Sequence, residues 1–183
     1  MNLFINACVR KGSRTKELAD HFLSKQKEAY EEVNLNAIDF PTVDESFLNR
    51  RDRLIAQRDF NDPMFDLARQ FAEADEIVLA APFWDLSFPA TLKQYFEQIN
   101  VTGVTFYYTP EGFPKGLCRA KCLTYVTTAG GEFFPEEYGA GYVKALAQNF
   151  YGIPEFRLIN ATGLDIIGAA VDAIIDSVKE SVF

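Results

Sequence analysis

The strongest constraint on the fold of this chain is an alternation. Short apolar runs, each the length of a strand, are separated by longer stretches with helical spacing. Leu3–Ala7, Glu76–Ala81, Cys122–Thr127 and Phe156–Asn160 are the clearest runs, and Glu32–Asn36 is a weaker one in which Val33 and Leu35 alternate with polar residues. Near-continuous apolar runs mark strands covered on both faces, as parallel sheets are. A helix is expected from about residue 15 to 28, with Leu18, Ala19, Phe22 and Leu23 on one face. Residues 44–74 are polar and helical but broken at Asn61-Asp62-Pro63, where Asp62 suits an N-cap and Pro63 the first helical position. Further helices are expected from Pro89 to about Asn100, from about 136 to 150, and from 165 to 182, the last turning Ile166, Ile167, Ala170, Ile174 and Val178 inward. Residues 104–112 form a β-rich excursion with a Pro/Gly turn. The alternation implies an α/β fold in three layers, with a five-stranded parallel sheet in the order 2-1-3-4-5. The 183 residues are read as one domain, 1–183. In that order the ligand crevice opens beyond the carboxyl ends of strands 1 and 3.

Composition narrows the partners. A net charge of −8 disfavours nucleic acid and anionic membrane. No basic, apolar leader precedes the first strand, and no apolar run is long enough to span a bilayer. The three cysteines, Cys8, Cys118 and Cys122, follow no disulfide pattern and read as free thiols, the last of them buried in strand 4, in a cytoplasmic protein. The single histidine, His21, lies mid-helix and reads as structural or solvated. It excludes a multi-histidine metal site and leaves a Ser-His-Asp triad far from the crevice. Seventeen phenylalanines exceed what a core of this size needs and leave some for a site or a subunit interface.

Three loops would meet at the crevice. The first, Cys8–Thr15, carries Arg10, Lys11 and Arg14 around Gly12, with the hydroxyls of Ser13 and Thr15 at the start of a helix. Free N–H groups at a helix start attract a phosphate, and three cations in five residues reverse the local charge of an acidic chain. The Walker pattern is absent. The spacing Cys8-x5-Arg14 followed by Thr15 also resembles the signature of the low-molecular-weight protein tyrosine phosphatases; there Cys8 would be the thiolate nucleophile and Arg14 the phosphate clamp. The Asp-Pro pair that such enzymes carry late in the chain stands early here, at Asp62-Pro63. The second loop, Pro82-Phe83-Trp84-Asp85-Leu86, places two aromatic rings after strand 3, suited to a flat conjugated ligand, with Asp85 bonding its own loop. The third, Thr128-Ala129-Gly130-Gly131, lets backbone approach a ligand closely.

Together the loops resemble those of the flavodoxin-like NAD(P)H oxidoreductases, the FMN-dependent azoreductases and NAD(P)H:quinone oxidoreductases. Phe88-Pro89-Ala90-Thr91-Leu92-Lys93 resembles that family's helix start, Gly103-Val104-Thr105-Phe106 its excursion, and Lys121–Gly131 its strand and Gly-Gly turn. The resemblance implies a flavodoxin-like fold and FMN as cofactor, with NADH or NADPH as co-substrate and a quinone, azo compound or similar small molecule as electron acceptor. Ser13, Thr15 and the Arg14 backbone N–H would hold the FMN phosphate. Pro82, Phe83, Trp84, Asp85 and Leu86 would line the isoalloxazine edge, bonded by the N–H groups of Phe83, Trp84 and Asp85, and Thr128, Ala129, Gly130 and Gly131 would meet its pyrimidine end. It also implies a homodimer, in which Tyr107 and Tyr108 either close over a partner's flavin or pair across a hairpin. Trp84 and Asp85 stand where the family has Tyr and Asn. No histidine follows the Gly-Gly turn, where Glu132, Phe133 and Phe134 stand instead. Hydride transfer needs no side-chain acid, so no catalytic residue is assigned. A flavodoxin-type electron carrier and a non-catalytic nucleotide-binding module are the other readings of the same loops.

Overall fold

The architecture was described from a computed structural model, which describes residues 1–182. Five parallel strands form one sheet: β1 (Asn2–Asn6), β2 (Tyr30–Asn34), β3 (Glu76–Ala80), β6 (Cys122–Thr128) and β7 (Glu155–Ala161). Their order is β2-β1-β3-β6-β7, the arrangement expected from the alternation once the intervening hairpin is set aside. That hairpin, β4 (Phe106–Tyr108) with β5 (Pro114–Gly116), is antiparallel and pairs Tyr107 with Lys115 and Tyr108 with Pro114. The two tyrosines therefore do not pair with each other, and both stay exposed.

Helices cover both faces. On one lie α2 (Glu45–Gln57), α3 (Asp66–Glu73), α4 (Ala90–Ile99) and α5 (Ala140–Ala145), over a core that includes Ile5, Phe65, Phe71, Leu79, Tyr95, Phe96 and Tyr125. On the other lie α1 (Arg14–Ser24) and α6 (Val171–Ser181), over Phe4, Leu18, Phe22, Val78, Val126, Ile159 and Ile175. The alternation of odd and even positions along β1, β3 and β6 between these two cores is the period-2 geometry of a strand. Asp62 accepts from the Met64 N–H at 2.9 Å, with Pro63 at the first position of a short 3₁₀ turn that runs into α3.

The structure corrects several boundaries. β2 runs from 30 to 34 instead of 32 to 36, because Leu35–Ala37 winds into a 3₁₀ turn capped by Asn34, whose side-chain Oδ1 accepts from the Asn36 N–H. Only Val33 of this edge strand is buried, which is why its apolar signal is weak. α1 ends at Ser24, four residues early. The helix expected over 136–150 starts only at Ala140 and continues as a π-helical turn, Leu146–Tyr151, that Gly152 ends at φ 73°. The final helix starts at Val171. The residues before it form a turn, with Gly163 at φ 75° and Gly168 at φ 85°, so Ile166 and Ile167 point to solvent; Ile167 is fully exposed. Ala170 is exposed as well, and Ile175 takes the buried place on α6. Cys122, expected to be buried, is only half-buried at the first position of β6.

Among the described residues no helix is long and apolar enough to cross a membrane. No group of three metal-binding side chains gathers among them.

Candidate functional site

The three loops converge. A cavity of about 410 Å³ opens at the carboxyl ends of β1, β3 and β6, lined by Arg10, Gly12, Ser13, Arg14 and Thr15, by Pro82, Phe83 and Trp84, and by Thr128, Ala129 and Gly130. This is the crevice that the strand order places there. Asp85, Leu86 and Gly131, also expected to line it, stand outside its wall. Val9, Leu164 and Asp165 line it and were not anticipated. The signal for the last two lay in the order itself: the fifth strand neighbours the fourth, so the loop that follows it must sit beside the Gly-Gly turn.

Each wall is built by local chemistry. Ser13 is the N-cap of α1, its hydroxyl accepting from the Lys16 N–H at 3.2 Å. The Glu17 N–H donates to the Ser13 carbonyl. That leaves the backbone N–H groups of Arg14 and Thr15 without a hydrogen-bond acceptor among the described residues, at the positive end of the helix dipole. The hydroxyl of Thr15 is not free for a ligand as expected; it is buried and shares a 2.7 Å hydrogen bond with the Thr128 hydroxyl, tying the first loop to the third. The Arg14 guanidinium is also engaged, donating to the Leu164 carbonyl at 3.0 Å and to Asp165 Oδ1 at 2.8 Å.

The aromatic loop is a tight turn. The Trp84 N–H donates to the Ser87 carbonyl and the Ser87 N–H returns to the Trp84 carbonyl, with Asp85 at φ 49° and Leu86 at φ 66° between them. Two successive positive φ values with reciprocal bonds make a type I′ turn. The Phe83 N–H donates to the Thr128 carbonyl at 2.9 Å. Both aromatic residues thus spend their backbone donors inside the protein, contrary to the expectation that they face the ligand. The Asp85 N–H makes no such bond. The Phe83 ring meets Phe134 edge to face at 4.7 Å, while Trp84 keeps 39 % of its surface exposed at the cleft.

The Gly-Gly turn is held by the loop after β7. Ala129 N–H donates to the Ala161 carbonyl, Gly163 N–H to Gly131, Leu164 N–H to Ala129 and Asp165 N–H to Gly130. The N–H groups of Gly130 and Gly131 have no acceptor among the described residues. A side chain on Gly130 would run into the Asp165 carboxylate, which would have to swing aside to admit it.

The phosphatase resemblance fails at its nucleophile. Cys8 is buried, absent from the cavity wall, and its Sγ lies 3.7 Å from the Ala80 carbonyl. Desolvation pushes its thiol up to about 11, whereas a nucleophilic cysteine needs a depressed pKa.

A parallel sheet with helices on both faces, and an anion-receptive helix start opening into a cleft at its switch point, defines an open α/β protein of the doubly wound class. The chain belongs to the family described as having a flavodoxin-like fold, which it matches over residues 2–182. It is 41 % identical over 176 residues to an FMN-dependent NADH:quinone oxidoreductase of Lachnoclostridium phytofermentans, with 92 % of this chain and 87 % of that protein covered. It is 35 % identical over 180 residues to a protein of the same name from Coprothermobacter proteolyticus, covering 92 % and 89 %. Among solved structures, an azoreductase from Bacillus anthracis superposes with a TM-score of 0.82 at 24 % identity, over 99 % of this chain and 96 % of the other; that likeness concerns the fold.

Proposed function

We infer that this protein is an FMN-dependent NAD(P)H oxidoreductase that passes two electrons to a quinone, an azo compound or a similar small acceptor. Relatives named FMN-dependent NADH:quinone oxidoreductase, matched over most of both chains, support the activity and favour NADH as donor. The observation that carries the reading to this chain is the pair of unpartnered N–H groups, Arg14 and Thr15, opening into a cleft faced by Phe83 and Trp84.

The residues present fit the cofactor. A phosphate at the start of α1 gives those two donors the acceptor they lack, and Arg10 adds charge beside them. A side chain built on Gly12 would meet no atom within 4 Å, so the loop leaves room there. The cavity has the volume of a cofactor site. Bound there, FMN supplies reversible two-electron chemistry. The protein binds and orients. Pro82, Phe83 and Trp84 form one wall, Asp85 and Leu86 set its turn, and Thr128 with Ala129 forms the other. The free N–H groups of Gly130 and Gly131 are preorganised donors for negative charge on a reduced ring. No side chain is assigned to proton transfer.

We also propose that residues 1–183 act as one domain, that the enzyme works in the cytoplasm, and that it is a homodimer. Exposed Tyr107, Tyr108 and Phe113 on the hairpin support an apolar interface.

Purified protein should be yellow, and NADH should bleach it without oxygen. Protein that stays colourless after reconstitution with FMN refutes the reading. Stopped-flow reduction by NADH separates the enzyme from an electron carrier that binds FMN but accepts no hydride.

A further inference from the structure

On the flank of the cavity between the start of α1 and the Gly-Gly turn, most acceptors are already spent. The Thr128 carbonyl takes the Phe83 N–H, the Ala129 carbonyl the Leu164 N–H and the Gly130 carbonyl the Asp165 N–H. The Leu164 carbonyl takes Arg14 Nη1 at 3.0 Å, and the Thr128 hydroxyl is joined to that of Thr15 at 2.7 Å. The Asp165 side chain stands apart. It is the one acidic side chain among the described residues lining the cavity, and it is 75 % exposed.

Its two oxygens have different surroundings. Oδ1 accepts from Arg14 Nη1 at 2.8 Å, which ties the carboxylate to the start of α1. Oδ2 lies over Gly130, 2.3 Å from the point where a side chain on that glycine would begin, and accepts no hydrogen bond among the described residues. A charged oxygen on an open cavity wall attracts hydrogen-bond donors and repels anions. On either side of it the polarity is reversed. The free N–H groups of Arg14 and Thr15 at one end, and of Gly130 and Gly131 at the other, call for acceptors on a ligand. The wall therefore asks for an acceptor, a donor and an acceptor in that order. A flavin phosphate offers its phosphate, the hydroxyls of its ribityl chain and the carbonyls of its pyrimidine ring in the same order.

We propose that Asp165 binds the polyol part of the flavin. Oδ2 accepts from hydroxyls of the ribityl chain, and Arg14 holds the carboxylate in place. The proposal rests on the flavin reading and adds to it a selection for a hydroxylated chain over a plain one.

Fluorescence titration of the flavin-free full chain tests it with two ligands, FMN and an analogue whose phosphate and ring are joined by an unsubstituted alkyl chain. The parent should prefer FMN at least tenfold, and the preference should fall about tenfold or more in Asp165→Ala, the worth of one hydrogen bond to a charged group. The ratio separates contact from structure. A general loosening of the site weakens both ligands alike and leaves the preference at the parent's value. That result, or a parent that binds the two equally, would overturn the proposal while leaving the flavin reading in place. A parent that binds neither ligand would refute both.

Discussion

Leu86 holds a backbone conformation that a γ-branched side chain rarely adopts, at φ 66° and 44 % exposed. The left-handed region costs a non-glycine residue about 1–2 kcal/mol, and glycine's extra freedom in the unfolded chain offsets about 0.5–1 kcal/mol of any relief. Leu86→Gly should therefore stabilise the protein by about 0.5–1 kcal/mol, read as a higher urea midpoint at constant slope. A lower midpoint would show that the leucine side chain itself holds the turn. Cys8 makes a prediction about pH. Its thiol titrates at about 11 in the folded protein, above its ordinary value near 9, because burial opposes the thiolate. The folded state then holds a proton that the unfolded state has lost, so the contribution is full below pH 9 and disappears as pH rises towards 11. The slope from this one group approaches about 1.4 kcal/mol per pH unit. Denaturation midpoints measured from pH 8.5 to 10.5 should fall less steeply in Cys8→Ala than in the parent. Equal slopes would contradict the burial assigned to Cys8.

Among the elements, β5 lies directly against the backbone at the end of the π-helical turn. A methyl group on Gly116 would overlap the carbonyl of Tyr151 and the nitrogen of Gly152, all backbone. Backbone cannot step aside as a side chain can. Gly116→Ala should cost about 3 kcal/mol or more, in the range of severe overpacking, whereas Gly112→Ala at the hairpin's tip meets open space and costs only its positive φ. Thermal melts of the two variants compare them directly. The same scale shows what the sequence made legible. The strands β1, β3 and β6 were visible because both their faces are covered and their runs are largely apolar, whereas the edge strand β7 buries only Ile159 and Ala161 and shows through Phe156, Leu158 and Ile159. Their order then brought the right loops together. The start of α6 was not visible: Ile166 and Ile167 fit a helical period, and only Gly163 and Gly168, turning at positive φ, break it. The hydroxyl bond between Thr15 and Thr128 was also hidden, because it depends on two side chains 113 positions apart finding the same spot. The inward N–H bond of Trp84 depends on a turn type that Asp-Leu does not announce, and that of Phe83 on the end of the neighbouring strand β6.

For the molecule as a whole, cofactor binding and folding are one equilibrium. The unpartnered donors of Arg14 and Thr15, the Trp84 wall and the β7 loop come together only in the native chain. A ligand that binds there and not to the unfolded state adds about 2.7 kcal/mol at a hundred times its dissociation constant. The melting temperature should climb with FMN concentration, by a few degrees per tenfold excess. Riboflavin, lacking the phosphate, should shift it much less. Equal shifts from the two would mean that the start of α1 is not the phosphate end.

The seam between Gly116 and Tyr151 has a consequence for encounters between copies. Because main chain rests on main chain at its root, the β4–β5 finger is braced before anything touches it. In the proposed homodimer, an interface built on this finger would spend little on ordering its main chain, and association would be limited by how often two molecules meet face to face.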